Sequence, residues 1–220
     1  MKPNKLVLIP VFVLISSNGT TSPERTVQDL RETIVGLPCE GCEAVFQGMP
    51  ESIGSDSRIA SKNEPGDPMV IEGVVRDLAG DTVSGVIVYA YQTNADGIYP
   101  TDEKLEGTAA HRHGRLRAWA KSDENGRYSF KTIRPGAYPG TELPAHIHMH
   151  VIEVGRCTYY IDDIMFEDDP FLTAGARERL TDGRGGSGAE KPEWSPTDGW
   201  IVQRDVVLGE RIPGYADCGS

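Results

Sequence analysis

No cluster of basic residues interrupts this chain: 22 lysines and arginines stand against 33 aspartates and glutamates in 220 residues, a formal net charge of -11. Such a field repels phosphate backbones, so nucleic acid is not expected as a partner. No stable membrane insertion is expected either, because the apolar run Leu6 to Ile15, broken by Pro10, is too short to span a bilayer comfortably. Neither a second C-x-x-C nor a nearby H-x-x-H completes a tetrahedral zinc set around Cys39-Glu40-Gly41-Cys42. There is no internal repeat, which sets aside repeat architectures.

What is present fits one compact domain with attached arms: 38% of the residues are hydrophobic and 25% charged. Lys2 and Lys5 precede the apolar run in the layout of a secretory signal, although Ser16-Ser17-Asn18-Gly19 offers neither an A-x-A site nor a lipobox cysteine. Residues 1–20 are therefore expected to be a signal peptide, and the protein to be secreted or periplasmic. The even set Cys39, Cys42, Cys157 and Cys218 is expected to form structural disulfides, with three pairings open.

Residues 21–68 read as an N-terminal helix and arm. Ser22-Pro23-Glu24 opens the helix, Val27, Leu30 and Ile34 keep helical spacing, and Gly36 stops it. From Gln47 to Pro68, Ser, Gly, Pro and acids without periodicity describe a surface arm. Strand patterns then follow at Met69–Arg76, Val83–Tyr91, Leu116–Lys121, Arg127–Ile133, Ala145–Val154 and Trp200–Leu208. Leu78-Ala79-Gly80-Asp81 and Glu124-Asn125-Gly126 mark hairpin-type breaks, so the fold class is all-β, a β-sandwich over residues 69–212 with a tail over 213–220. Phe171–Leu180 reads as a helix and Thr181–Gly199 as a long loop.

Chemistry concentrates at Ala145-His146-Ile147-His148-Met149-His150. In a strand the three imidazoles share one face, within reach of one ion, but imidazole suits Zn, Cu, Fe and Ni alike. Tyr99 and Tyr138 each follow a structured turn, in Asn94-Ala95-Asp96-Gly97-Ile98-Tyr99-Pro100 and Ile133-Arg134-Pro135-Gly136-Ala137-Tyr138-Pro139. Together with Asp123-Glu124-Asn125-Gly126-Arg127-Tyr128, Pro144-Ala145-His146-Ile147-His148 and Phe166-Glu167-Asp168-Asp169-Pro170, this ordered set resembles the intradiol ring-cleavage dioxygenases over roughly residues 69–172.

The resemblance implies that Tyr99, Tyr138, His146 and His148 ligate one Fe(III), with Tyr138 and His148 axial and Tyr99 and His146 equatorial. Phenolates are hard anionic donors, the type that favours ferric iron. The implied reaction is cleavage of a catechol by O2 to a muconate-type diacid, with Tyr138 the labile ligand that accepts a substrate proton and Tyr99 the second catalytic tyrosine. It also implies a homodimer that buries the N-terminal arm. The sequence departs from the family at Leu143, where an arginine is usual, and at Asp163, where a glutamine is usual; Arg112, Arg115 or Arg117 is the expected replacement cation. His111, His113 and His150 lie outside the implied ligand set. An alternative from another class is a metal-free carboxypeptidase-regulatory-like sandwich that serves as a binding or structural module, and a third is a dioxygenase relative that keeps iron without turnover.

Overall fold

A computed structural model describes residues 33–38 and 41–218. Most of the helix expected between Ser22 and Gly36 lies outside the described residues. Its last residues before Gly36, 33–35, run extended, with Ile34 bridging Thr158 and the Val35 amide donating to the Thr158 carbonyl at 3.0 Å.

Two sheets form the sandwich. One holds β1 (Asp56–Arg58), β5 (Arg127–Ile133), β2 (Pro68–Arg76), β10 (Gly199–Gln203) and β9 (Glu193–Ser195) in that order, with β11 (Val206–Val207) also on β2. The other runs β4 (Arg117–Lys121), β3 (Ile87–Gln92), β6 (His146–Glu153), β7 (Cys157–Phe166), β8 (Ala189–Glu190). Alternation along β2 and β5 turns Met69, Ile71, Val75, Tyr128 and Phe130 toward Val88, Ala90, Ile147, Met149 and Val151 of the second sheet, which is the main core.

The arm is more ordered than its composition predicts. Residues 56–58 pair in parallel with β5, and Ile59 and Ala60 are buried, so the sandwich begins before residue 69. Upstream, Val45 and Phe46, with Met49 and Ile53, cover the outer face of the second sheet at Ile87, Tyr89, Tyr91, Trp119 and Ile152. The Trp119 indole donates to the Val45 carbonyl at 2.7 Å, fixing this cover. Both faces of β3 are therefore buried, and every residue in it is.

Strand β7, the longest, has no counterpart among the sequence patterns because both its faces are covered and Asp162 and Asp163 interrupt its apolar run. The expected helix begins later, as α1 (Ala174–Leu180), capped by the Thr173 hydroxyl, which accepts from the Ala176 amide. The expected loop 181–199 supplies β8 and β9. The C-terminal tail is tied down by the Cys157–Cys218 disulfide. Among the described residues no helix is long and apolar enough to cross a membrane.

The loop that follows β3 and the loop that precedes β6 are clamped together. The Thr93 hydroxyl donates to the Gly136 carbonyl and the Gly136 amide to the Asn94 carbonyl, each at 2.9 Å. The Asn94 side-chain oxygen accepts from the Asp96 and Ile98 amides, curling the first loop. Gly97 has φ +77°, and a Cβ there would stand 1.9 Å from the Ala137 carbonyl oxygen. Gly97→Ala is therefore expected to lower stability by more than the left-handed penalty of about 1–2 kcal/mol. Gly107→Ala, at φ +71° with nothing within 4 Å of its would-be Cβ, carries the conformational penalty alone. Urea unfolding of the pair checks this; equal midpoints would mean that the two loops do not press on each other.

Candidate functional site

The clamp carries Tyr99 on one loop and Tyr138 on the other, and β6 presents His146 and His148 beneath them. The two phenol oxygens lie 2.6 Å apart. The Tyr138 hydroxyl is 3.1 Å from His146 Nε2 and 3.5 Å from His148 Nε2, and the Tyr99 hydroxyl is 2.9 Å from His148 Nε2. The four residues singled out in the sequence thus meet at one point.

The far side of each imidazole decides what it offers that point. His146 Nδ1 lies 2.8 Å from the Pro144 carbonyl, which can only accept, and His148 Nδ1 lies 3.1 Å from Asp163. Both Nδ1 atoms therefore carry hydrogen, leaving the Nε2 lone pairs facing the phenols. Burial, reinforced by the neighbouring His148, lowers the pKa of His146. For Asp163 burial acts to raise the pKa, but the surrounding histidines, His148 foremost, outweigh it and the carboxyl is held below its usual range. Burial, with the adjacent Tyr138, pushes the Tyr99 phenol far above its ordinary value.

This set fits a metal ion. Donors about 2 Å from one ion and roughly at right angles sit about 3 Å apart, and the four contacts that the phenol oxygens make with each other and with the imidazoles run from 2.6 to 3.5 Å. His146, His148 and Asp163 alone also offer atoms within 4.8 Å of one another. Asp163, however, sits behind His148 on its Nδ1, while the phenols and both lone pairs converge on the Nε2 side. It stands behind the converging donors rather than among them.

A cavity of about 700 Å³ opens over the cluster, lined by Tyr99, Tyr138, His148 and Asp163 at one end and by Arg112, His113 and Tyr160 around them. Tyr91 completes a wall that sequence reasoning missed: its ring stacks on His113 at 3.7 Å and on His148 at 4.4 Å between centroids. The alternation of β3 was readable; the register placing Tyr91 beside His148 and Tyr89 beside His150 was not. His113 is buried, with its Nδ1 2.8 Å from the Tyr89 hydroxyl, and burial lowers its pKa to about 3. His150 is buried deeper along β6 and His111 is exposed.

Of the three candidate arginines, Arg115 forks onto Glu64 at 2.6 and 2.9 Å. Arg117 donates to the Gln47 carbonyl and lies over Trp119. Arg112 alone of the three lines the cavity, paired with Glu43 at 3.2 Å. Leu143 is half-buried on the approach to His146 and forms no part of that lining.

Comparison with known proteins agrees with the geometry. The model of the Dioxygenase family matches residues 46–180. The protocatechuate 3,4-dioxygenase beta chain of Burkholderia cepacia is 33% identical over 129 residues, 51% of this chain and 51% of that one. The chlorocatechol 1,2-dioxygenase of Rhodococcus opacus is 28% identical over 144 residues, 57% of this chain and 54% of that one. This chain thus spans about half the length of the curated relatives it matches. Among solved structures, the dioxygenase domain of a dioxygenase and carbohydrate-binding fusion from Streptomyces sp. SirexAA-E superposes with a TM-score of 0.54 at 22% identity, covering 73% of this chain and 91% of that one. The fold agrees, and with more than half of its 220 residues matched by the family model, this chain belongs to the dioxygenase family, as an intradiol ring-cleavage dioxygenase relative.

Proposed function

We propose that this protein cleaves a catechol-type aromatic diol between its two oxygen-bearing carbons, incorporating both atoms of O2 to give a muconate-type diacid. The reaction would use Fe(III) held by Tyr99, Tyr138, His146 and His148. The observation that carries the reading is the convergence of two phenol oxygens and two imidazole lone pairs, joined by phenol–phenol and phenol–imidazole contacts of 2.6–3.5 Å, at one end of an aromatic-walled cavity. A sandwich that only binds or braces has no packing reason to assemble that set. Bound there, the ferric ion would supply the Lewis acidity that gathers both diol oxygens and favours loss of their protons, and it is that deprotonation that would leave the ring electron-rich toward O2.

The chain's own groups divide the remaining work. His146 and His148 stay oriented by the Pro144 carbonyl and Asp163. Tyr99 is held by the loop curled on Asn94. Tyr138 lies at the hub, within 3.5 Å of the other three donor atoms, and faces the cavity. Its phenol oxygen is placed to take up a proton from an incoming diol. Tyr91 and Tyr160 supply apolar walls for the substrate ring and exclude water. Export to an oxidising compartment is part of the proposal; the Cys157–Cys218 disulfide, the disulfide-bonded Cys42 and the lack of any free cysteine among the described residues support it.

The direct test supplies catechol and 18O2 to the iron-loaded protein. Two labelled oxygen atoms in a ring-opened diacid are expected; no O2 uptake with iron bound would leave an iron protein without turnover. Tyr138→Phe is expected to lower turnover by about 100-fold or more, within the range lost with a positioned proton acceptor, and a steady-state assay checks it. The cavity's acid, Asp163, and the pairing of Arg112 with Glu43 leave little attraction for an anionic substrate. Catechol is accordingly expected to bind at least about tenfold more tightly than 3,4-dihydroxybenzoate, as read from displacement titrations; the reverse order would contradict that reading of the pocket.

A further inference from the structure

Strands β6 and β7 pair regularly except opposite His148. Register runs from Ile147 against Ile164 to Met149 against Ile161, so two residues of β7, Asp162 and Asp163, face the single residue His148. That is a β-bulge, a device that re-aims a side chain. Were the Met149–Ile161 register continued without it, Asp163 would stand opposite Ile147, whose side chain is in the core between the sheets. The extra residue turns Asp163 to the other face, where each carboxylate oxygen lies 3.1 Å from His148 Nδ1. The contact is shielded, since Asp163 is 8% exposed. The displaced Asp162 is itself used: its carboxylate accepts from the Gly183 amide at 2.7 Å and its carbonyl from the buried Arg204 at 3.1 Å.

We infer that Asp163 is a positioning residue whose carboxylate, delivered by the bulge, strengthens His148 as a donor and so biases the site toward the ferric over the ferrous ion. This rests on the ferric site proposed above. An anionic acceptor on Nδ1–H draws the proton toward itself and leaves more electron density at Nε2, the atom that faces the phenols. A neutral acceptor of the same shape keeps the orientation and loses the charge. His146 provides the internal contrast, since its Nδ1 partner is the uncharged Pro144 carbonyl. The bias is thus carried by one of the two imidazoles.

The experiment compares wild type, Asp163→Asn and Asp163→Glu, each loaded with iron, by reduction potential, by the visible tyrosinate-to-iron band and by ferric affinity. Asn keeps an acceptor oxygen without the charge, and Glu keeps the charge. Asp163→Asn is expected to lose at least about tenfold of the ferric-over-ferrous preference, a rise of about 59 mV in a one-electron potential, to move the band to longer wavelength, and to weaken ferric binding by about 10–100-fold. Asp163→Glu is expected to return the potential and band toward wild type. An Asn variant with wild-type potential and band would overturn the inference while leaving the ferric site standing. A wild-type protein that binds no iron would overturn both, and the two failures are separated by the wild-type sample alone. Should Asn fold poorly, circular dichroism reveals it, and a Glu variant with the Asn potential would still count against the inference.

Discussion

Two tyrosine hydroxyls 2.6 Å apart, each within hydrogen-bonding reach of a histidine nitrogen, can be reached only if their two loops touch. Gly97 and Gly136 make that contact by lacking a Cβ where one would strike the Ala137 and Ala95 carbonyls. The Asn94 side chain and the Thr93 hydroxyl hold the loops in place from within. Burying phenols costs free energy in proportion to their polarity, and that cost grows sharply if one ionises. The raised pKa of Tyr99 expresses it. A trivalent cation at the centre would reverse the balance, because phenolate charge next to it is compensated rather than desolvated. In that sense the cluster suits a metal: hydrogen-bonded by itself, it would turn anionic in the presence of a cation.

The second sheet makes this arrangement rigid because it is covered on both sides. One face belongs to the main core; the other carries Tyr89, Tyr91 and Trp119 beneath the residues from Val45 to Ile53. On that outer face Trp119 of β4 and Tyr89 and Tyr91 of β3 lead to the three histidines of β6. Tyr91 stands at the junction, stacked between His113 and His148. The segment that sequence composition describes as an arm is thus a structural layer whose ordering fixes the wall of the cavity. The pairing of Arg112 and Arg115 with glutamates keeps the approach from becoming a basic funnel.

Much of this was legible in the sequence, for identifiable reasons. The turns at Asn94-Ala95-Asp96-Gly97 and Asp123-Glu124-Asn125-Gly126 have side-chain chemistry that specifies them locally, and strands β2, β5 and β6 alternate or carry a clear apolar face. The alternation of β6 was enough to place His146 and His148 on one face. What escaped needed partners distant in sequence. Strand β7 is buried on both sides, so it shows no period, and its two acids look like a break until the bulge gives each a donor. Asp163 reads in the sequence as added negative charge in a pocket; the structure makes it the partner of His148. Tyr91 was an ordinary strand aromatic until the register with β6 set it against that same histidine.

The central claim is that both tyrosines bind a single ferric ion, and resonance Raman spectroscopy of the iron-loaded protein, excited within its visible band, tests it most directly. The account predicts two sets of tyrosinate ring modes, with one lost in Tyr99→Phe and the other in Tyr138→Phe. Iron bound without tyrosinate modes, or modes unchanged in both variants, would contradict it.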